Sequence, residues 1–400
     1  MKSMEKLLLA LALFCVTTLT FADDFFSDLG DESGSGVVSN LEFNGVVSLS
    51  SEISITEDSV NDTFSINEGA EALFNLGYTG DSADLKVTLN GDRDSINIDE
   101  CYANLYFDML NMEVGYFKTV WGKGDKLHVL DLLNPIDYSN YFTQDYLENK
   151  IAQPTIKVNV PVGSFGMLEL AYVPIFEGDL IPTDGKWMPL EVKAAKTLLQ
   201  GFSILYPDTQ TLSYGQFGTR FTTSINGFDF GGLYYFGYDR QPTLNLTKLK
   251  MDYNFMNVAG IEFGTVLAGF NLRGELAYYF INNSKDTLNY LGGFDRDLPL
   301  HNVNINIQVK GEYNTESEDI TNMVVGKISD SFNHEKITPS VTGMYNVEDM
   351  DFMIKPELLY KIGENIEIAT SAGIFAGDDD TTFGQFDLND YLSLTLKYTF

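Results

Sequence analysis

The sequence predicts an all-β fold, a transmembrane antiparallel up-and-down β-barrel of about 16 strands, within a range of roughly 14–18. Three observations carry that prediction. Many segments of about ten residues alternate with period two, the last strand runs to the final residue, and an export signal is followed by no long apolar helix. The composition agrees: Tyr 22 and Phe 29 against Trp 2, with Gly 35, favour strands and membrane interfaces. A mean hydropathy of -0.08 is too polar for a bundle of membrane helices. Asp+Glu 57 against Lys+Arg 25 gives a net charge of -32. That excludes nucleic acid as a partner and disfavours docking onto an anionic membrane surface.

Residues 1–22 read as a signal peptide. Lys2 and Lys6 precede the apolar run Leu7 to Val16, which is too short to span a bilayer, and Thr20-Phe21-Ala22 places small residues at the -3 and -1 positions of a cleavage site. The expectation is export through the Sec pathway and, given the barrel, residence in the outer membrane of a diderm bacterium. Cleavage removes Lys2, Lys6 and Glu5, making the charge one unit more negative. Cys15 follows Phe14, too large for a good lipidation motif, and departs with the signal. Cys101 then stands alone, so no intramolecular disulfide is expected. With Ala103, Leu105 and Phe107 on its strand face, it reads as a buried or lipid-facing thiol. Residues 23–40 read as an acidic, flexible periplasmic lead or a short plug, and 41–400 as the barrel.

The clearest strands show the alternation residue by residue. Ala83, Leu85, Val87 and Leu89 alternate with Asp84, Lys86, Thr88 and Asn90, and Val303, Ile305, Ile307 and Val309 with Asn304, Asn306 and Gln308. Strands are expected at 41–54, 64–78, 83–91, 96–107, 110–118, 155–162, 165–174, 214–225, 228–239, 257–268, 272–282, 300–312, 336–346, 351–361, 365–376 and 390–400. The short connections Asp108-Met109, Gly163-Ser164, Asn226-Gly227, Phe270-Asn271 and Gly363 to Asn365 read as periplasmic turns, Asn-Gly being a favoured hairpin. The long ones, 119–154, 175–213, 240–256, 283–299 and 377–389, read as extracellular. Residues 313–335 interrupt this order and read as a long periplasmic link or an extra hairpin.

At the end of the chain Leu392, Leu394, Leu396, Tyr398 and Phe400 alternate strictly with Ser393, Thr395, Lys397 and Thr399. This resembles the terminal strand of bacterial outer-membrane barrels. The resemblance implies that Leu396, Tyr398 and Phe400 form a signal for the barrel-assembly machinery.

A barrel of this size has room for an aqueous lumen lined by the polar strand faces. By alternation Asp84, Glu113, Glu169, Asp229, Glu262, Glu275, Glu357 and Glu367 line it, with Lys86, Lys157, Arg220, Arg273, Lys361 and Lys397. The slight acidic excess and the acidic loops predict a modest cation preference. The same loop charge would equally serve to keep the outer face solvated.

Residues 119–154 contain Trp121-Gly122-Lys123-Gly124-Asp125, then Asp131, Asn134-Pro135 and Asp137. Leu127, Val129, Leu130, Leu132, Leu133 and Ile136 make the segment too apolar to extend into water. It is expected to fold inward and narrow the pore. Trp121 would anchor it, Asp131 and Asn134 would form turns and caps, and Asp125, Asp131 and Asp137 would supply constriction acids. A latch on the wall and a contact between protomers are the alternatives. The W-G…D…D-x-x-N-P-x-D order resembles a family of porin-like outer-membrane proteins akin to alginate-export-type barrels. A looser likeness runs over 110–285 through Glu177, Pro182 and the hairpin Phe228 to Arg240. The resemblance implies a porin-like barrel and names no solute.

No phosphate-binding loop, G-x-S-x-G or H-E-x-x-H occurs, so no enzyme is expected. His128, His301 and His334 lie far apart, and Asp378-Asp379-Asp380 lacks the spacing of a calcium loop, so neither a metal nor another cofactor is expected. His128 reads as a solvated loop side chain. The leading expectation is a porin in outer-membrane lipid passing small hydrophilic solutes. A carrier for hydrophobic molecules and a surface adhesin using 119–154 and 175–213 are the alternatives. An apolar outer face is compatible with both a monomer and a homotrimer.

Overall fold

In a computed structural model, described for residues 40–55, 66–140, 142, 145–200, 205–245 and 249–400, eighteen antiparallel strands close into a barrel. The readings for 1–22 and 23–39 fall outside the described residues. The first half comprises β1 (Leu41–Ser54), β2 (Ile66–Thr79), β3 (Ala83–Gly91), β4 (Ile96–Tyr106), β5 (Asn111–Phe117), β6 (Gln153–Val162), β7 (Gly166–Val173), β8 (Gln216–Ile225) and β9 (Phe228–Tyr238). A separate hairpin, β10 (Thr243–Asn245) with β11 (Lys250–Asp252), follows. The second half comprises β12 (Phe255–Leu267), β13 (Phe270–Ile281), β14 (Thr287–Asp297), β15 (Asn304–Asn314), β16 (Ile320–Ser329), β17 (Ile337–Asn346), β18 (Phe352–Ile362), β19 (Ile366–Ala376) and β20 (Tyr391–Thr399). Among the described residues one α-helix, α1 (Leu190–Leu198), lies in the link between β7 and β8.

Each wall strand pairs with the next, and β1 closes the ring against β20, from Val46 opposite Thr399 to Ser54 opposite Tyr391. Closure leaves no free strand edge, which in lipid would cost several kcal/mol for each unpaired backbone group. Phe400 extends the seam: it exchanges two backbone hydrogen bonds of 3.0 Å with Gly45. Its ring packs 5.7 Å from Phe43 and 6.1 Å from Phe74.

Two strands escaped the sequence pattern. β14 occupies most of the expected loop 283–299, and β16 lies inside the unassigned 313–335. Both have apolar residues on the inner face, Leu291 in β14 and Val325 in β16, because chain folded into the lumen covers them there. Alternation vanishes wherever both faces are buried. The two extra strands also reverse the expected direction of β15 and turn 313–335 into a link, a strand and a turn. The turn after β12 is Ala268-Gly269, at φ 52° and 79°, rather than Phe270-Asn271, which opens β13. Asn226-Gly227, at φ 51° and 82°, is the tight turn its dipeptide implies.

The outer face is apolar and exposed, with Leu85, Ile98, Ile261 and Leu394 typical. Cys101 is on this face, opposite Val87. The densest packing lies inside the ring, where residues 118–152 meet the wall.

Candidate functional site

Cross-strand register carries one face around the barrel. Asp84, Lys86, Glu113, Lys157, Glu169, Arg220, Asp229, Glu262, Arg273, Glu275, Glu357 and Glu367 all fall on the face that bears the 118–152 segment. Most are paired. Lys157 meets Glu113 at 2.8 Å, Lys86 meets Glu100 at 3.0 Å and Lys123 meets Asp229 at 3.4 Å. Arg220 bridges Glu169 at 2.9 Å and Glu262 at 2.6 Å, and Arg273 pairs with Asp295. Glu262 stands directly opposite Glu275. Two carboxylates so placed repel unless each has donors of its own. Glu262 has Arg220, and Glu275 has the inward segment.

The Glu275 carboxylate accepts four backbone N–H groups. One oxygen takes those of Lys123 and Gly124, both at 2.6 Å; the other takes Val129 at 2.8 Å and Leu130 at 2.9 Å. Gln308 Oε1 accepts two more, from Lys126 and Leu127, both at 2.9 Å. The stretch 123–130 is therefore irregular chain whose N–H groups are satisfied by the wall instead of by a sheet. Apolar burial adds to this. Trp121 and Leu130 are fully buried, packed with Ala171, Leu233, Tyr235, Val258 and Ala277 of the wall. Gly218 makes room, because a Cβ there would lie 2.5 Å from the Trp121 ring. Trp121 Nε1 donates to Glu169 at 3.2 Å.

A buried polar latch follows. Asp131 and Lys150 pair at 2.6 Å with both side chains 0% exposed, and the Tyr146 hydroxyl donates to Asp131 at 2.7 Å. Burial pushes the Lys150 ammonium down from its ordinary value and Asp131 opposes that. Asn134 is a capping residue in effect: it accepts from Thr119 N at 2.7 Å and donates to the carbonyls of Phe117 at 3.0 Å and Ile151 at 2.9 Å. It thus ties together both ends of the segment. Arg240, two residues past the end of β9, donates to the carbonyls of Leu132, Leu133 and Glu177.

The expected constriction acids part company here. Asp131 is enclosed and presents no charge to open space. Asp137 accepts from Ser139 N at 2.8 Å and lies against Leu180. Asp125 alone is exposed, beside Asn306 at 2.5 Å and Arg273 at 3.9 Å. His128 is not the solvated side chain the sequence suggests. It is largely buried, stacked on Tyr146 with centroids 4.0 Å apart, and burial holds its imidazole below the usual 6.5. Among the described residues no group of three or more His, Cys, Asp or Glu could hold a metal ion. The residues the sequence did not single out, Gln308, Lys150, Tyr146 and Arg240, act by meeting backbone or a buried charge, which no local pattern displays.

Near its tip the segment reaches the opposite wall. Phe142 lies 5.3 Å from Trp187 of the β7–β8 link, 5.2 Å from Phe375 of β19 and 5.3 Å from Phe386 of the β19–β20 link. Three long links thus meet in one aromatic cluster. Below it a cavity of about 170 Å³ remains between residues 126–149 and strands β16, β17, β18 and β20. Lys126, Lys327, Lys355, Lys397, Asp145, Glu148, Glu357, Ser340 and Thr342 supply its polar lining.

No family model matches this sequence, and no curated protein matches it. Solved structures do resemble the barrel. OpdL of Pseudomonas aeruginosa aligns with a TM-score of 0.54 at 10% identity, over 90% of this chain and 99% of that one. OccK11 (OpdR) of the same organism gives 0.53 at 9%, over 91% and 97%. Wzi of Escherichia coli, an outer-membrane carbohydrate-binding β-barrel involved in group 1 capsule assembly, gives 0.52 at 11%, over 90% and 85%. The shared fold is a closed antiparallel β-barrel, here of eighteen strands. The likeness of residues 121–137 to alginate-export-type barrels rests on their sequence alone.

Proposed function

We propose that this protein is an outer-membrane porin: a water-filled channel for small hydrophilic solutes, narrowed by residues 118–152. The observation that carries the reading is the docking of that segment across the lumen through Glu275, Gln308 and Trp121, with a polar cavity beside it. Eighteen strands enclose more space than wall side chains fill. The cavity mixes lysines with acids, so a modest cation preference would come from the strongly acidic chain outside it, at a net charge of -32. In this reading residues 1–22 direct Sec export, and Leu396, Tyr398 and Phe400 engage the assembly machinery.

The test is single-channel conductance of the refolded mature protein in a planar bilayer, with a KCl gradient to give the reversal potential. A stable conductance that grows when 123–148 is deleted supports the channel and its constriction. Silence across replicate insertions of a correctly folded barrel overturns it.

A further inference from the structure

The cavity beside the inward segment has two unlike walls. On the barrel side, Lys327 of β16 stands opposite Thr342 of β17, which stands opposite Lys355 of β18. In-register neighbours on one face are spaced by about 5 Å. Two ammonium stems therefore flank one hydroxyl in a single row. The next row toward the outer mouth is apolar: Met344 stands opposite Met353, and Phe142 belongs to the same cluster. On the facing side the inward segment presents Asp145 and Glu148, with Lys126 3.7 Å from Asp145. Glu148 accepts the Asp145 N–H at 3.1 Å, which fixes the two acids relative to one another. Further down, Glu357 and Lys397 are of opposite sign, and the lining as a whole holds four lysines against three acids.

A simple cation would be repelled by the lysine row, and a simple anion by the acids across from it. A molecule carrying both charges on one carbon, with an apolar branch, meets each wall with the right group. We propose that this cavity binds an α-amino acid with an apolar side chain, of the leucine or methionine type. Its carboxylate lies at the Thr342 hydroxyl between Lys327 and Lys355, its ammonium faces Asp145 and Glu148, and its side chain lies on Met344 and Met353. This deepens the porin reading and rests on it, since the solute must reach the cavity through the lumen.

Binding is measured by titration calorimetry on the refolded mature chain in detergent, with three probes of matched shape. These are L-leucine, 4-methylpentanoate (leucine without its amine) and 3-methylbutylamine (leucine without its carboxylate). Leucine should bind at least about tenfold more tightly than either fragment, since each fragment forgoes one charge-assisted hydrogen bond. Lys327→Met should weaken leucine and 4-methylpentanoate by about tenfold and leave the amine unchanged, while Glu148→Gln should weaken leucine and the amine and leave the acid unchanged. That reciprocal pattern cannot arise from misfolding, which would affect all three probes. Equal binding of leucine and 4-methylpentanoate, or no leucine binding at all, overturns the proposal. The same preparation is tested in a planar bilayer. A conducting channel without leucine binding overturns the site alone, whereas leucine binding to a barrel that stays silent supports the site and overturns the open channel.

Discussion

Replacing Glu275 with Gln tests how the inward segment is held. The carboxylate is 4% exposed and accepts four backbone N–H groups, two on each oxygen. Glutamine keeps one oxygen and turns an NH2 toward the other pair, so two buried N–H groups lose their acceptor. At about 1–3 kcal/mol each this costs about 2–6 kcal/mol. Relief of the repulsion from Glu262 directly opposite offsets up to about 1 kcal/mol. The remainder is comparable to the burial of one or two large apolar side chains at about 1.5–3 kcal/mol each. Trp121, Leu130 and Leu133 together should therefore keep the segment inside the barrel while the stretch 122–130 loosens. The assay is twofold: trypsin cleavage after Lys123 and Lys126 in the folded barrel, and current noise in single-channel recordings. Cleavage should appear and the open level should flicker in Glu275→Gln, and Glu275→Ala, which loses all four bonds, should show a larger mean conductance. Wild-type trypsin resistance and a quiet current in both variants would refute the argument that this carboxylate holds the segment.

Other outcomes follow from the same interactions. Lys150→Met leaves the Asp131 carboxylate buried without its cation and should destabilise the barrel by about 3–5 kcal/mol in urea unfolding, with Asp131→Asn in the same chain recovering most of the loss. Burial holds His128 below 6.5, so docked chain takes up its proton less readily than freed chain. Docking is thus at full strength above that value and weakens as the pH falls below it. Conductance noise should rise between about pH 7.5 and about pH 5, and His128→Phe, which keeps the stack on Tyr146, should abolish the rise. An unchanged pH response in that variant would remove His128 from the account. Gly218→Val collides with the Trp121 ring and should raise the single-channel conductance; a wild-type value would mean that the ring has another place to go. Phe400→Ala removes a ring packed on Phe43 and Phe74 and should lower the yield of folded barrel in cells more than it lowers the unfolding midpoint of what does fold.

The alternation in the sequence groups the charged wall residues it names on one face because register in an antiparallel sheet preserves parity from strand to strand. Glu113 opposite Lys157 and Glu169 opposite Arg220 needed no long-range information beyond that. The same rule failed at β14 and β16, whose inner faces mix polar residues with the buried apolar Leu291 and Val325. The inward fold of residues 118–152 was legible from Leu127, Val129, Leu130 and Leu133. How it is fastened was not, because Glu275 and Gln308 read as ordinary lumen-facing polar residues until the backbone they accept from is in place. Asp131 shows the limit most clearly. It read as a constriction acid, yet its charge is enclosed with that of Lys150, nineteen positions along the chain.

The seam between β1 and β20 has a consequence for the order in which this molecule can come into being. Residues Val46 and Thr399 must meet before the ring exists, although almost the whole chain separates them. Until they do, the growing sheet has two raw edges, each a row of donors and acceptors that hydrocarbon will not tolerate. In the proposed membrane setting, strands therefore cannot enter the bilayer one at a time from the N-terminus. In that setting the nascent sheet would have to be kept out of lipid, or have its edges shielded, until its final hairpin arrives. Pairing between such distant segments gives the chain a high contact order, which as a rule slows folding. A damaged last strand would thus leave a chain with sound turns, sound register and no route into the membrane.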